Sequence, residues 1–419
     1  MNKDFKDLKK FPDHYWLRGP LVLTEERMDF FCLEIQQGKI TSINKNISQS
    51  QSQSQSQSQD NFIPVYDFPS DYYLIPGFID LHIHGALGFD VMDGSLEALE
   101  SISEALVQEG TTAYLATSMT ESESQISQAL VNIAEFQKIK NKNKNLKKSG
   151  AEILGVHLEG PFISPSRMGA QNPEFIKAPD INLFKKFQTL AEGQIRLVTM
   201  APEVPGASEF VKYLCETGVV VSIGHSDANF LEAKQSIDAG VSHCTHLYNA
   251  MSSFHHRTPG VAVAVLGDDR VRAELIADGI HVDPDVLALT LKIKTAEKLL
   301  LVTDAMRAKC LSEGEYDLGG QKVFVKSGAA RLASGVLAGS VLSLNKAFSN
   351  IQDYTGCSFQ DAVKMASENP AKQLGIFDRK GSIKINKDAD LVLIDKAGQI
   401  HATFCHGDLV YLKDQKIER

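Results

Sequence analysis

Histidine and acidic residues recur at the ends of apolar, β-branched segments through the middle of this sequence. Residues two apart on a strand project from the same face, so His82 and His84 can bind one ion together, and His157 shares a face with Glu159. Imidazole and carboxylate groups suit zinc and related divalent ions. Taken singly, such a residue is more often a structural histidine or half of a buried ion pair. The segments with this pattern end at five places: His82 and His84, His157 and Glu159, His225, His246, and Asp304.

Five such endings on one rim of a protein are difficult to explain without a bound metal ion. A divalent ion lowers the pKa of a bound water and polarises the carbonyl group under attack. A carboxylate beside the ion can accept the water proton and return it to the leaving amine. Asp304 directly follows a fully apolar segment, which favours that role over a helix N-cap. Glu159 could bridge two ions. The sequence does not decide whether His157 is a metal ligand or a residue that lies behind the ligands.

The segments between these endings alternate between strand and helix character. Apolar runs predict eight strands, at 73–81, 112–116, 153–158, 196–200, 219–223, 241–245, 272–277 and 299–303. Helical periodicity lies between most of them, at 96–108, 124–139, 209–216, 230–238 and 285–295, and again at 342–355 and 358–367. Strands that alternate with helices in this number predict an α/β fold, a (β/α)8 TIM-type barrel. Active-site groups of such barrels lie at the carboxyl ends of the strands, where the polar residues fall.

The two ends of the chain differ in character from its middle. Short β-like stretches, 21–35 and 62–68, precede the barrel segments, and two more, 389–394 and 402–412, follow them. They predict a small β-sandwich domain built from both termini, residues 1–73 plus 385–419, beside a barrel domain of residues 74–384. The stretch 48–59 alternates serine and glutamine without an apolar residue, which indicates a surface loop.

The composition restricts the classes of partner and substrate. The 419 residues carry a formal net charge of −9, so the protein should repel nucleic acid and anionic membranes, and an anionic substrate needs a local cluster of cations. The six cysteines are scattered without a CxxC pair, as in reduced cytosolic proteins. No apolar leader opens the sequence, and no apolar run is long enough to span a bilayer. We therefore expect a cytoplasmic protein with no nucleic-acid or membrane partner.

Several motifs occur together in a fixed order, and most of them include the residues discussed above. They are PGFIDLHIHG, GVHLEGPFIS, GHSDA, THLYNAM, ADGIHVD, LVTDAM, GVLAGS and ENPAKQLG. With them the sequence resembles the N-acetylglucosamine-6-phosphate deacetylases of the amidohydrolase superfamily, from about residue 76 to residue 390. The resemblance implies a homodimeric barrel hydrolase of amino-sugar metabolism. Its expected substrate is the linear amide of N-acetylglucosamine 6-phosphate, and its products are acetate and glucosamine 6-phosphate.

The resemblance also assigns roles to individual residues. Asp304 matches the general base and acid of the family. Arg257 and His281 match the phosphate-binding pair, and the arginine is expected to reach in from the neighbouring subunit of the homodimer. From the residues alone, Arg257 would more often be a plain surface charge. The residues that match metal ligands are Glu159, His225 and His246. The residues that match substrate contacts are Ala170, Gln171, Asn249, Ala250, Leu337, Ala338 and Gly339.

Two features bear on the number of metal ions. Some family members lack the histidine pair and hold a single ion, whereas this sequence has His82 and His84, so two ions that share Glu159 are expected. The cofactor is therefore one or two divalent ions per subunit, with zinc favoured over iron, manganese or cobalt. Family members commonly have histidine where Gln171 stands. Glutamine can donate a hydrogen bond but cannot carry a positive charge, and a second ion could supply part of the lost polarisation.

Two alternative hypotheses for the function remain open from the sequence. The first is another amidohydrolase, either a deacetylase of a different amino sugar or a cyclic amide hydrolase. Many cyclic amide hydrolases bridge their metals with a carboxylated lysine, and Glu159 in the bridging place disfavours that reading. The second is an inactive barrel scaffold, which the joint presence of Glu159, His225, His246 and Asp304 disfavours.

Overall fold

Eight parallel strands form the central sheet of the protein, arranged in the order of the chain. The computed structural model describes residues 12–45, 63–142 and 150–413, so the serine–glutamine stretch 48–59 lies outside the described residues. Each strand pairs in parallel with the next one along the chain. The strands are Phe78–Ile83, Thr111–Ser118, Glu152–Glu159, Ile195–Met200, Val220–Ile223, His243–Cys244, Arg272–Leu275 and Leu299–Leu301.

Backbone contacts between the first strand and the segment after the eighth strand close this sheet into a barrel. The N–H of Asp304 donates to the carbonyl oxygen of His82 at 2.8 Å, and the N–H of His84 donates to that of Ala305 at 2.9 Å. Ile83 and Ala305 form an isolated parallel bridge at the same level. The predicted (β/α)8 barrel is thereby confirmed. Its closure lies at the carboxyl ends of the strands, beside predicted metal-binding residues.

Helices follow the strands and pack one apolar face on the barrel. Several begin at a polar side chain that satisfies the first backbone N–H groups, such as Ser95, which accepts from Ala98, and Asn229, which accepts from Leu231 and Glu232. The helices are Leu96–Leu106, Glu123–Lys142, Ile181–Leu190, Ala207–Glu216, Phe230–Asp238, Val261–Leu266, Pro284–Lys294, Leu344–Thr355, Phe359–Val363 and Asn369–Gln373.

The predicted strand 73–81 is two strands that belong to different sheets. Tyr73–Pro76 pairs with Leu391–Ile394 in a sheet built from the chain ends, whereas Phe78–Ile83 is the first strand of the barrel. The chain passes from one sheet to the other at Gly77, where a Cβ atom would lie 2.2 Å from the side-chain oxygen of Thr112. A continuous apolar run does not show at which point a chain changes sheets, because both halves are buried.

The two ends of the chain form two further sheets that share one core. One has four strands, in the spatial order Lys39–Asn44, Cys32–Gln36, His14–Arg18 and Val65–Asp67. The other has six, in the order Asp408–Leu412, Ile400–Cys405, Leu391–Ile394, Tyr73–Pro76, Leu21–Leu23 and Met28–Phe30. Leu17 and Ile35 of the first sheet belong to the same buried cluster as Leu74, Leu391 and Phe404 of the second. This is the predicted β-sandwich from both termini, while the residue limits of the domains stay a prediction.

A three-stranded antiparallel sheet follows the eighth barrel strand, and the sequence patterns do not mark it. Its strands are Gly314–Leu318, Gln321–Lys326 and Ala329–Leu332. Leu318 and Val323 pack with Met119 and Met306 in a small separate core. The Gln321 side chain donates to the backbone oxygen of Ala170 at 2.6 Å. The sheet therefore borders the carboxyl end of the barrel, where Leu318 lines a cavity.

Two findings concern the environment of the chain. Among the described residues, no helix is both long and apolar enough to cross a membrane. All six cysteines lie in the described residues and are free thiols.

A buried cluster of charges connects the barrel with the terminal sheets. Lys380 is 1% exposed and contacts Glu152, the first residue of the third barrel strand, at 2.8 Å. It also contacts Asp388 at 3.4 Å and forms a close ion pair with Asp390. Burial by itself would lower the pKa of Lys380, but these carboxylates outweigh burial and raise that pKa above its usual value. The lysine is therefore charged, and it neutralises carboxylates that are costly to bury alone.

Replacing Lys380 with methionine should destabilise the fold strongly. The substitution keeps most of the apolar stem but leaves the carboxylates Glu152, Asp388 and Asp390 with less positive charge, which costs about 3–5 kcal/mol. The measurement is the midpoint of urea unfolding followed by circular dichroism. Lys212→Met is the matched control, because Lys212 and Glu216 form an exposed pair worth less than about 1 kcal/mol. Equal midpoints for the two variants would show that the cluster is not needed for stability.

Candidate metal centre

The barrel delivers polar side chains to its mouth from the carboxyl ends of several strands. His225, His246 and Asp304 stand just after the fifth, sixth and eighth strands, with backbone φ values of 48°, 31° and 48°. Left-handed backbone at a residue other than glycine costs about 1–3 kcal/mol and persists where the surrounding structure imposes it. The chain therefore accepts strain at these three positions to turn the side chains inward. The remaining members of the set are His82, His84 and Glu159, near or at the ends of the first and third strands.

The carboxylate of Glu159 lies at the centre of the first cluster. Its Oε1 atom is 3.2 Å from the Nε2 atoms of both His225 and His246. These two nitrogens lie 3.2 Å from each other. The ligand atoms of the three residues lie within 4.8 Å of one another, and all three residues are buried. Two ring nitrogens and a carboxylate oxygen that converge in this way fit a divalent ion with an open position for water.

A second cluster lies on the other side of Glu159 and shares that residue. His84 Nε2 lies 3.4 Å from Glu159 Oε2 and 3.2 Å from Asp304 Oδ1. His82 Nε2 lies 3.4 Å from Glu159 Oε1 and 3.4 Å from Asp304 Oδ1, and it is a buried nitrogen without a hydrogen-bond partner. The donor atoms of His82, His84 and Asp304 form a group that could hold an ion. Both clusters thus have donor types and spacing that fit divalent ions, with Glu159 between them.

The other ring nitrogen of three of these histidines is held by an acceptor. His225 Nδ1 contacts the backbone oxygen of Arg167 at 2.9 Å, and His84 Nδ1 contacts that of Thr117 at 3.3 Å. His82 Nδ1 contacts a carboxylate, Glu274 Oε2, at 3.0 Å. An acceptor at Nδ1 places the proton there and leaves the Nε2 lone pair free to bind a metal ion. The surrounding residues therefore select the tautomer that metal binding requires.

In the two clusters, histidines and carboxylates shift each other's pKa values, so that the carboxylates favour their ionised form and His82 and His84 their protonated form. Burial alone would lower the pKa of His84, but contacts with Asp304 and Glu159 outweigh burial and raise that pKa to about 9. Burial would raise the pKa of the Asp304 carboxyl, yet His82 and His84 hold it below its usual value. The pKa of Glu159 is well below its usual value for the same reason, since His82, His225 and His246 outweigh its burial.

Gln171 contacts the shared carboxylate directly. Its Oε1 atom accepts the backbone N–H of Thr120 at 2.7 Å, and its Nε2 atom donates to Glu159 Oε2 at 2.8 Å. The Thr120 N–H can only donate, so it determines which end of the amide faces Glu159. At position 171 this chain therefore has a neutral donor that is aimed at Glu159.

A cavity opens over the two clusters and contains most of the predicted substrate contacts. His281 lies on the same wall, and its Nδ1 atom contacts Asp278 at 2.7 Å. Asp278 also accepts the backbone N–H of His281, so the imidazole has a defined orientation. The predicted substrate residues that line this cavity are Ala170, Gln171, Asn249, Ala250, Leu337 and Gly339.

Two predicted substrate residues do not line the cavity of their own chain. Ala338 is fully buried beneath its neighbours and donates its backbone N–H to Ala330 at 3.0 Å. Arg257 is exposed and contacts the ring of His256 at 2.7 Å, outside the set of described residues that form the cavity wall. The structure of one chain therefore does not bring Arg257 and His281 together.

A layer of polar residues lies beneath the clusters inside the barrel. His157 bonds through one nitrogen to the Leu81 carbonyl and through the other to Thr199, which places it behind the ligands. Burial lowers its pKa to about 3. The motifs do not mark Glu274, whose carboxylate contacts both His82 and His243. The sequence does contain a signal for Glu274, because an acidic residue between Ala273 and Leu275 in a predicted barrel strand needs a buried partner.

Comparisons with known proteins agree with this geometry. The model of the Amidohydrolase family matches residues 73–410. The N-acetylglucosamine-6-phosphate deacetylase of Bacillus subtilis (strain 168) is 46% identical over 347 residues, which are 83% of this chain and 87% of that protein. The N-acetylgalactosamine-6-phosphate deacetylase of Escherichia coli O157:H7 is 35% identical over 395 residues, 94% of this chain and 98% of that protein.

Solved structures show the same architecture. An N-acetylglucosamine-6-phosphate deacetylase from Thermotoga maritima superposes with a TM-score of 0.83 at 32% identity, over 95% of this chain and 100% of that chain. A mutant of the N-acetyl-D-glucosamine-6-phosphate deacetylase from Mycobacterium smegmatis, in complex with N-acetyl-D-glucosamine-6-phosphate, gives 0.84 at 29% identity over 95% and 100%. The family match, the relatives and the site agree, and the chain belongs to the amidohydrolase family, among its N-acetylglucosamine-6-phosphate deacetylases.

Proposed function

We propose that this protein hydrolyses the N-acetyl group of N-acetylglucosamine 6-phosphate to give glucosamine 6-phosphate and acetate. The observation that carries the proposal is the pair of clusters around Glu159, with Asp304 beside them, at the floor of a cavity in the barrel mouth. The Bacillus subtilis relative, 46% identical over most of the chain, is named for this reaction.

The two clusters supply ligands for two divalent ions. Glu159, His225 and His246 would hold one, and His82 and His84, with Asp304 beside them and Glu159 shared, would hold the other. Zinc is favoured by the nitrogen and oxygen donors, and iron, manganese and cobalt also suit them. A bound ion activates a water molecule and polarises the acetyl carbonyl.

Asp304 has the position and charge of the proton carrier. Its carboxyl is ionised at neutral pH, because the histidines beside it hold its pKa below the usual value. Oδ1 contacts His82 and His84, so the carboxylate faces the region between the clusters and the cavity. Asp304 accepts a proton from the attacking water and returns it to the amine nitrogen when the C–N bond breaks.

Phosphate recognition uses His281 and an arginine from a second subunit. His281 lines the cavity, and its contact with Asp278 leaves Nε2 as the atom available to the ligand. Arg257 is exposed on a segment that leaves the barrel mouth after His246, and a partner copy would bring it to a neighbouring cavity. An arginine fork binds phosphate through two hydrogen bonds, which answers the requirement for local cations in an acidic protein.

Comparing substrates tests the proposed reaction. The value of kcat/KM for acetate release should be at least about 10- to 100-fold higher on N-acetylglucosamine 6-phosphate than on N-acetylglucosamine, since even one charge-assisted hydrogen bond to the phosphate is worth that much. N-acetylgalactosamine 6-phosphate is the third substrate, because one relative is named for it. Equal values with and without phosphate would contradict phosphate recognition. A preference for the galactosamine compound would assign the chain to another amino sugar.

Replacing Asp304 with asparagine should remove most of the activity. Asparagine keeps the shape of the side chain but cannot accept the water proton, so kcat should fall by about 10²- to 10⁴-fold. Metal content is measured on the same samples, which separates loss of the base from loss of an ion. Asp353→Asn, on the exposed side of the helix Leu344–Thr355, is the matched control and should keep wild-type kcat. Near-normal turnover by Asp304→Asn would exclude Asp304 as the proton carrier.

Mixing two inactive variants tests whether Arg257 acts across subunits. Arg257→Ala and His281→Ala should each lose activity on the phosphorylated sugar. In a mixed dimer, one cavity combines an intact His281 with an intact arginine from its partner, and the other lacks both. After random exchange of subunits, about a quarter of all cavities should be intact and a matching share of activity should return. No recovery in a demonstrated mixed dimer would place both residues in one subunit or remove Arg257 from the site.

A further inference from the structure

We propose that Glu274 is a positioning residue that prepares His82 to bind the second ion. This inference rests on the two-ion part of the proposed function. Glu274 is fully buried in the seventh barrel strand, Arg272–Leu275, beneath the metal clusters. It neither lines the cavity nor touches the Glu159 carboxylate in the described contacts, so it acts through other residues.

In the described structure, the hydrogen-bond contacts of the Glu274 carboxylate all come from nitrogen atoms of histidine residues. Its Oε2 atom contacts His82 Nδ1 at 3.0 Å and accepts the backbone N–H of His246 at 3.0 Å. Its Oε1 atom contacts His243 Nε2 at 2.9 Å. The carboxylate is thus held by histidine nitrogens, with no lysine or arginine in contact among the described residues.

The contact with His82 determines what the other side of that ring can do. A carboxylate oxygen at Nδ1 accepts the proton of that nitrogen, so a neutral ring presents an unprotonated Nε2. Nε2 faces Glu159 Oε1 and Asp304 Oδ1, both at 3.4 Å. A lone pair that faces two carboxylate oxygens is repelled unless a cation lies between them. The geometry is that of a carboxylate–histidine–metal arrangement, in which the outer carboxylate orients the ring and makes it a stronger donor.

The group that accepts from Nδ1 distinguishes His82 from the other histidines that face the clusters. His84 and His225 use neutral backbone carbonyls, at 3.3 Å and 2.9 Å. His246 has no hydrogen-bond partner for Nδ1 in the described structure. A carboxylate therefore supports only one ligand of this set, and that ligand belongs to the second cluster.

Glu274 also ties the second cluster to the first. The oxygen that holds His82 accepts the N–H of His246, a residue with left-handed backbone. Glutamine at position 274 can keep its carbonyl oxygen in that place and donate its amide to His243 Nε2. His243 can accept this bond by moving its proton to Nδ1, which has no other partner in the described structure. Glu274→Gln therefore preserves the shape of the network and removes its charge.

The test is metal binding rather than turnover. Metal-free wild type, Glu274→Gln, His82→Ala and the double variant are titrated with Zn²⁺ against a chromophoric chelator, and metal content is measured after dialysis. Wild type should bind two ions per subunit. Glu274→Gln should bind the second ion about 10- to 100-fold more weakly, while the affinity for the first ion stays within about threefold. In the His82→Ala background, the Glu274→Gln change should have no further effect, because its target is absent.

Controls separate this role from a general structural one. Asp268→Asn neutralises another buried carboxylate, which precedes the same strand as Glu274 and is paired with Lys234 and Arg270, and should leave both affinities unchanged. Thermal unfolding of the metal-free variants confirms that each is folded. Wild-type affinity for the second ion in Glu274→Gln would overturn the role of Glu274 alone. An added loss of the first ion in the double variant would show a structural role instead, and one ion in wild type would overturn the two-ion premise itself.

Discussion

The site depends on the cost of burying one ionised carboxylate, Glu159. A buried carboxylate is destabilising by several kcal/mol unless positive charge surrounds it. Glu159 is 2% exposed and has no lysine or arginine partner in the described structure. Four imidazoles and the amide of Gln171 approach its two oxygens instead. Without a bound metal, protonated imidazoles stabilise the carboxylate, and with a bound metal the ion does so. The stability of the barrel mouth and the proposed catalysis therefore depend on the same interaction.

The barrel satisfies this requirement by bringing distant parts of the chain to one place. Backbone bonds between the first strand and the segment after the eighth strand place Asp304 beside His82 and His84, which are more than 200 residues earlier in the sequence. The left-handed backbone at His225, His246 and Asp304 turns their side chains toward the axis at an energetic cost. The β-sandwich and the cluster around Lys380 support the other end of the third strand, which ends in Glu159.

Local patterns explain which parts could be predicted from the sequence. The alternation of side chains along a strand predicted that His82 and His84 lie on the same face. A histidine or acidic residue at the end of an apolar run identified each ligand position at the mouth of the barrel. The division of 73–81 between two sheets was missed, because Pro76 and Phe78 are both buried and apolar periodicity does not identify a partner strand. The insertion at 314–332 was missed because its strands mix exposed and buried residues in a segment without a motif. Glu274 was missed because its partners lie in other strands.

Charge balance connects Glu274, Gln171 and the histidine pair. Two divalent ions would bring four positive charges to a region where three carboxylates contact the rings of His82 and His84, those of Glu159, Asp304 and Glu274. A single ion would leave that region negative unless protons or a cationic side chain replaced the missing charge. A protonated histidine at position 171 would suit a site with one ion, but beside a second cation it would be repelled. Gln171 donates the same kind of hydrogen bond to Glu159 without a charge. The proposed two-ion site would therefore account together for the neutral amide, the supported His82 and the buried Glu274.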